Sequence, residues 1–417
     1  MKDEKITINL SQENLQKERH DSTNEDMESK KVKKRNMIFL IGGIFGIIAG
    51  GVMIALPFLL PKEVKEALTY PTIPSQTASS EKTYSSLTGM ELANASDKTA
   101  PAYCIQTPNG TDGARPHSGL TDAGVVFEAI AEAGITRFAA IYQNPTQAII
   151  GPLRSLRIYF LDWDVPFDCT VVHAGGSADA IDSLRAGGYK DLSEDYDYMY
   201  RGTYGNRLWN NLFTTSSYLK KFSADHNYNT SNIQGFTRMT PEQSKKNRID
   251  TTASEKLDIT KASDKNLSEM APKTAHIKID FGGWDAFDVV YDYDANTNTY
   301  NRSYGNGDPH SVYVCSTEDL GERNPEDVCT LSQMSPAVVI AMMVQESRAA
   351  DNYHEAITTM GSGDAYIFQN GIAIKGTWNK SSREAQIEFK DASGATIELA
   401  PGQTFISAVP NYGSVVY

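Results

Sequence analysis

Between Met37 and Leu60 the chain runs for 24 residues without a charge, directly behind the basic cluster Lys30, Lys31, Lys33, Lys34 and Arg35. At about 1.5 Å of rise per residue, a helix of that length spans a hydrocarbon core of about 30 Å. The flank richer in Lys and Arg stays on the cytoplasmic side. Only Lys62 and Lys65 lie close behind the run, alongside Glu63 and Glu66. The reading is a single N-terminal transmembrane helix, residues 37–60, on the cell membrane. The N-terminus is then cytoplasmic and everything after about residue 61 extracytoplasmic. The competing reading is a cleaved signal peptide. Its apolar region would run about 7–15 residues to a small-residue site, whereas this run is longer and ends in Pro57-Phe58-Leu59-Leu60-Pro61. Gly42, Gly46 and Gly50 recur at a four-residue spacing that permits close helix–helix approach and self-association, although glycine is common in membrane helices generally.

The whole chain carries a net charge of −13. Residues 1–36 hold nine Lys/Arg and eight Asp/Glu, so the region beyond the apolar run carries the whole deficit. An acidic exterior does not suit nucleic acid, which calls for a basic footprint. It also argues against broad adhesion to anionic lipid or polymer. The four cysteines, Cys104, Cys169, Cys315 and Cys329, all lie beyond the apolar run. An even number in an oxidising compartment suggests two disulfides. Cys315 and Cys329 bracket a polar loop and are the favoured pair. Cys104 and Cys169 sit in short β-type runs that can be neighbours. Buried thiols are the alternative, and no C-x2-C spacing indicates zinc.

Residues 1–36 read as a disordered cytoplasmic tail, and 61–84, rich in Pro, Ser, Thr and Lys, as a stalk. A globular region follows over 85–245. Strands are expected at Ala102–Gln106, Ile135–Tyr142 and Cys169–Ala174. Helices are expected across Asp122–Ala133, between an N-cap Thr121 and a C-terminal Gly134, and at Leu153–Trp163 and Ala178–Arg185. This order implies a βαβ unit with a parallel pair. A polar linker covers 246–271. Over 272–417 the pattern turns to β. Strands are expected at His276–Phe281, Asp288–Tyr293, Thr299–Tyr304, Ala337–Val344, Ala385–Lys390, Ala395–Leu399 and Gly402–Val409. A hairpin, Ala365–Phe368 with Ile372–Gly376, turns at Asn370-Gly371. The expected fold class is therefore an α/β (α+β) N-terminal ectodomain plus a β-rich C-terminal domain on one membrane helix.

Several segments in order carry a resemblance. Ser86-Leu87-Thr88-Gly89 is followed by Ala114-Arg115-Pro116-His117-Ser118-Gly119-Leu120, then Gly134-Ile135-Thr136-Arg137-Phe138. After them come Gly151-Pro152-Leu153-Arg154-Ser155-Leu156-Arg157 and His173-Ala174-Gly175-Gly176-Ser177. Further on, Tyr300-x-Arg302 runs into Gly307-Asp308-Pro309-His310, with Gly361-Ser362-Gly363, Gly371–Trp378 and Pro401-Gly402-Gln403-Thr404 behind it. Together, over roughly 85–410, these resemble the YerB-like family of bacterial lipoproteins, a family of unknown function. The resemblance implies an envelope location and a two-domain build, and it brings no reaction. This chain departs from the pattern in two places. An apolar helix stands in place of a lipid-bearing cysteine. Trp209-Asn210-Asn211-Leu212-Phe213 stands where relatives tend to have Pro-His-Asn-Leu-Tyr, so an essential base at that histidine is not available here.

The residues that invite chemistry are Arg115, His117, Arg137, Arg154, Arg157 and His173, together with Gly175, Gly176 and Ser177 between a strand end and a helix start. Guanidinium groups suit bidentate contact with carboxylate or phosphate. A helix N-terminus also favours an anion. Arg154 and Arg157, on one expected helix face, would share such a pocket. The opposing reading pairs these arginines with Asp122, Glu128 and Glu132 in a structural network. There is no G-x-S-x-G, H-E-x-x-H or Walker loop. The run Asp292, Asp294, Asn296 and Asn298 lacks the glycine and closing glutamate of a calcium loop. No cofactor and no metal are expected. The leading expectation is a binding protein for an anionic group on an envelope polymer, lipid-linked precursor or protein partner. The alternative is a hydrolase or transferase acting on envelope glycan or peptide, for which His117, Glu128 and His173 would have to converge on a nucleophile.

Overall fold

The computed structural model describes residues 82–203, 209–248, 275–315 and 322–417. The expected cytoplasmic tail, the membrane helix with Gly42, Gly46 and Gly50, nearly all of the stalk and most of the 246–271 linker lie outside the described residues. Among the described residues no helix is long and apolar enough to cross a membrane.

The centre of the fold is a ten-stranded sheet. One half comes from the C-terminal region, in the order Glu388–Asp391, Ile372–Lys380, Gly361–Gln369, Val338–Val344, Thr404–Pro410. The other half comes from the N-terminal region, in the order Val125–Glu132, Ile135–Gln143, Ala102–Pro108, Thr170–His173, Asp191–Ser193. The seam between the halves is a parallel pairing of Thr404 with Val125 through Ser407 with Glu128. The mixed α/β region and the β-rich region therefore share one hydrogen-bonded sheet, and Glu81–Tyr417 is one compact unit.

Helices Ile158–Asp164 and Ala178–Ala186 cover one face, with Phe127, Phe160, Trp163, Ile340 and Ile406 in a common core. The opposite face is covered in two pieces. Helix Ser216–Asp225, whose N-cap Thr215 accepts from the Tyr218 amide, packs over the N-terminal half. A four-stranded sheet of Thr299–Tyr304, Val289–Asp294, His276–Asp280 and Ser414–Val416 packs over the C-terminal half. Its inner face is built by alternation, with Ile277, Ile279, Val289 and Tyr291 pointing inward.

Several local expectations match. Asn370 and Gly371 both take positive φ, as a two-residue hairpin turn requires, between Gly361–Gln369 and Ile372–Lys380. The parallel pair expected from the strand–helix–strand order does not form between Ile135–Gln143 and Thr170–His173, which lie on either side of Ala102–Pro108; Thr170–His173 instead pairs in parallel with Ala102–Pro108 and, across helix Ala178–Ala186, with Asp191–Ser193, a strand the sequence did not suggest. Asp292 to Asn298 close a hairpin in which Asp294 accepts from the Asn296 amide at 2.8 Å. Both disulfides are present, Cys104–Cys169 between adjacent parallel strands and Cys315–Cys329 across the polar loop.

Three further expectations are corrected. Asp122–Ala133 is not a helix: Leu120–Asp122 is a short 3-10 turn and Val125–Glu132 a strand buried on both faces. A strand sandwiched between two layers has continuous apolar content, and Val126, Ile130 and Ala133 happened to fall at helical spacing. Ala133 and Gly134, at φ 51° and 80°, are the turn of the next hairpin, so the supposed C-terminal glycine serves a hairpin. The helix expected over Leu153–Trp163 begins only at Ile158. The amides of Leu153, Arg154 and Leu156 bond outward to Leu212, Gln106 and Gly175, so Arg154 and Arg157 do not share a helix face. Ala395–Leu399 is no strand and contributes only isolated bridges, Lys390 with Thr396 and Arg238 with Leu399.

Candidate functional site

Glu128 and Glu132 lie on one strand, and a bulge between Ile130 and Glu132 decides where each points. Side chains alternate along a strand, so residues four apart share a face unless an extra residue intervenes. Here it does, and the two carboxylates enter different environments.

Glu128 enters a fully buried network at the sheet seam. Its carboxylate accepts from Arg302 Nη2 at 2.8 Å, Thr136 Oγ1 at 2.9 Å and Asn109 Nδ2 at 3.3 Å. Arg302 also donates from Nε to the Tyr291 hydroxyl at 3.2 Å and from Nη1 to His310 Nδ1. His310 Nε2 lies 3.1 Å from His117 Nδ1, and His117 Nε2 lies 2.8 Å from the Pro108 carbonyl. The carbonyl can only accept, so His117 donates from Nε2 and accepts at Nδ1. His310 then donates from Nε2 and accepts the Arg302 proton at Nδ1. Each ring thus has one assigned tautomer, and both are neutral. Burial agrees with that assignment: it holds His117 down at about 3, and burial with the Arg302 charge holds His310 well below the ordinary histidine range. Burial opposes the Arg302 charge, but Glu128, Tyr291 and Tyr304 more than offset it. Arg115 lies on the rim of this network. It donates to Asn109 Oδ1 at 2.9 Å and to the Ala286 carbonyl at 3.0 Å, and its guanidinium sits 3.6 Å from the Tyr304 ring centroid. Arg302, His310, Tyr291 and Tyr304 come from the C-terminal region, and the other members from the N-terminal region. This cluster pins the two halves of the sheet together.

Glu132, flipped by the bulge, faces the helical side. There it pairs with Arg137 at 3.2 Å and with Arg157. Arg137 also donates to the Ser155 carbonyl at 2.6 Å, and burial lowers its guanidinium to about 10. Arg157 donates to the Leu156 carbonyl at 2.8 Å, and burial lowers it as well. Arg154 is half-buried, and among the described residues its side chain has no hydrogen bond or ion pair. Asp122 joins neither group. It accepts from the Thr146 amide at 2.6 Å and fixes a loop.

Beside this second cluster opens a cleft of about 260 Å³. Arg157, Ile158, Tyr159, Ser177, Ala178 and Asp179 form one wall. The connection Ala349–Asp351 with His354 and Glu355, between short strands Glu346–Arg348 and Glu355–Ile357, forms the other. Gly175 and Gly176 lead into it. A Cβ on Gly176 would lie 2.9 Å from Ile181 Cδ1 and 3.1 Å from the Leu156 carbonyl, so the approach of this turn to the arginine loop calls for glycine. Ser177 is the N-cap of helix Ala178–Ala186, yet its hydroxyl caps nothing, because the Ala180 amide is taken by Asp179 at 2.9 Å. Ser177 is 7 % exposed and its Oγ has no hydrogen-bond partner among the described residues. The first amides of the helix have no intrahelical acceptor either.

His173 does not act on Ser177. Its ring nitrogens lie 2.7 Å from the Gly175 carbonyl and 2.9 Å from Asp191. His354 is bound to Asp351 through Nδ1 at 2.6 Å and makes no hydrogen bond to Ser177 among the described residues. Among the described residues neither histidine is therefore set as a base for Ser177. His117, Glu128 and His173 do not converge on one pocket. Asn210, at the departure from the family pattern, is buried and donates to Asp112 at 3.2 Å. A larger groove of about 530 Å³ along Gln234–Thr237 and Ala385–Phe389 has Glu388 as its one charged wall residue and contains none of the expected site residues. Among the described residues no cluster of three or more His, Cys, Asp or Glu is placed to hold a metal.

Sequence reasoning passed over Arg302 as a site residue and missed Glu355, Asp351 and His354. Arg302 stands in a strand of otherwise ordinary alternation, and the 349–355 connection carries no motif.

Two regions, one mixed α/β and one β-rich, joined in a single sheet, place the chain in a two-part family of unknown function. The chain belongs to that family: residues 87–229 match "Protein of unknown function (DUF3048) N-terminal domain" and residues 277–406 match the C-terminal domain of the same family. A relative is the Bacillus subtilis (strain 168) protein named "Putative lipoprotein YerB", 25% identical over 329 residues, which cover 78% of this chain and 86% of that protein. The crystal structure of YerB from Bacillus subtilis superposes with a TM-score of 0.62 at 22% identity, covering 81% of this chain and 100% of that one, and it shares the fold.

Proposed function

We propose that this protein is an extracytoplasmic binding module, held at the membrane by the 37–60 segment, whose cleft takes an anionic group of an envelope polymer, lipid-linked precursor or protein partner. The observation that carries this reading is the unused hydroxyl of buried Ser177, at the N-terminus of a nine-residue helix and beside Arg157. A helix start with unused donors is a ready anion site. The membrane location is supported by the charge asymmetry around Met37–Leu60, by two disulfides that suit an oxidising compartment, and by the lipoprotein naming of the relative. The acidic exterior argues against nucleic acid, and the four-residue spacing of Gly42, Gly46 and Gly50 supports self-association.

The test is calorimetric titration of the full-length protein with N-acetyl-alanyl-alanine, a carboxylate with no amine. Saturable binding is expected. Ser177→Asp places a competing carboxylate on the helix start, and it should cut affinity more than tenfold, with its melting temperature as the check on the fold. Ser177→Ala should weaken binding less. Unchanged affinity in both variants overturns the reading. A hydrolase remains the second reading, favoured by the presence of Ser177, His354 and Asp351 in one cleft. It requires covalent labelling of Ser177 by a fluorophosphonate, which the binding reading predicts will not occur.

A further inference from the structure

The two walls of the cleft differ in kind. Ser177, Arg157 and the first turn of helix Ala178–Ala186 present donors. The facing 349–355 connection presents carboxylates, and these differ in how they are occupied. Asp351 is saturated, accepting from the Tyr353 and His354 amides at 2.9 Å each and from the His354 ring. Asp179, on the first wall, is exposed and holds the Ala180 amide. Glu355 is different. Its side chain is only 9% exposed, it has no hydrogen bond among the described residues, and its ion-pair partner there is Arg348 at 4.0 Å, on a side chain that is 56% exposed, with the like charge of Glu346 on the paired strand. A carboxylate with no hydrogen bond of its own, facing the cleft, is available to a cation there. Between the two polar ends the cleft is lined by Ile158, Tyr159, Ala178, Ala349 and Ala350, which suit small apolar groups.

Resting on the anion-site reading above, we propose that the ligand of this cleft is a zwitterion of amino-acid or dipeptide size. Its carboxylate meets Ser177 and the helix start, its ammonium meets Glu355, and its small apolar side chains lie against the alanines. The volume of about 260 Å³ falls just below the ~300–1,000 Å³ of sites for larger ligands. Pairing both ends explains why one small cleft carries an unused donor and an under-partnered acid together.

The experiment titrates the full-length protein with three probes, each as L,L and D,D isomers: free alanyl-alanine, N-acetyl-alanyl-alanine and alanyl-alanine amide. In one handedness the free dipeptide should bind at least tenfold more tightly than either blocked form. Glu355→Gln should remove the advantage over the N-acetyl form and leave the affinity for the N-acetyl form itself unchanged. Glu355→Lys should reverse the preference, and melting temperatures of both variants check the fold. Equal affinity for free and N-acetyl dipeptide overturns the zwitterion while leaving the anion site standing. Binding of the amide alone, or of none of the probes, overturns both.

Discussion

Glu128→Gln is the substitution that weighs most on this fold. It keeps the shape of the side chain and removes its charge. Arg302, fully buried and 2.8 Å away, then has no counter-ion, while its remaining partners are a phenol and a neutral imidazole. Stranding a buried charge costs about 3–5 kcal/mol. An unfolding entropy of about 2.1 cal/mol/K per residue, over the roughly 340 residues of the compact unit, amounts to about 0.7 kcal/mol/K, so the melting temperature should fall by about 4–7 °C. Arg302→Met should cost a similar amount by stranding Glu128. The double variant should be less damaged than the sum of the two by at least about 2 kcal/mol, since the charges are then removed together. Urea denaturation of the four proteins at pH 7.5 measures the cycle. A loss below about 1 kcal/mol for Glu128→Gln, or strict additivity, would refute the view that this pair pins the seam.

Acid should act on the same network in a defined direction. His117 and His310 bind protons in the unfolded chain from about 6.5 downward but are held neutral in the fold, so each contributes stability that is lost as pH falls, at about 1.4 kcal/mol per unit. Glu346, pushed up to about 7 by burial, and Asp164, raised by burial, take up protons in the fold and act oppositely over part of that range. Between pH 6.5 and 4.5 Glu346 should offset about half of the loss from the two histidines, so Glu346→Gln should steepen the loss on acidification by about 1.4 kcal/mol per unit; parallel pH profiles would count against this balance. For the disulfides, Cys104→Ala/Cys169→Ala opens a separation of 65 residues and Cys315→Ala/Cys329→Ala one of 14, for which chain entropy gives about 4 and about 3 kcal/mol. Denaturant midpoints showing the reverse order would reject loop length as the governing quantity.

The sequence alone determined what depends on a few adjacent residues. Asn370-Gly371 specifies a two-residue turn because both positions need positive φ. The apolar strand Thr170–His173 and the glycine-bounded helix Ala178–Ala186 behind it follow from adjacent residues, and the polar loop between Cys315 and Cys329 marks their pairing. Family membership was legible from short segments in fixed order. What the sequence could not determine is everything set by a second surface arriving from far along the chain. Val125–Glu132 reads as a helix by spacing and is a strand, because helices from 158–186 cover one face and residues of both regions cover the other. The partner of Glu128 is Arg302, 174 positions away, and no local pattern encodes it. The bulge that sends Glu132 to Arg137 and Arg157 is a register shift against the neighbouring strand, visible only once the strands are paired. The acidic wall of the cleft comes from a connection with no motif, placed there by the sheet. Periodicity reports how one segment meets one surface. Burial on two faces, ion pairing and clefts depend on which distant segments meet, and tertiary packing alone decides that.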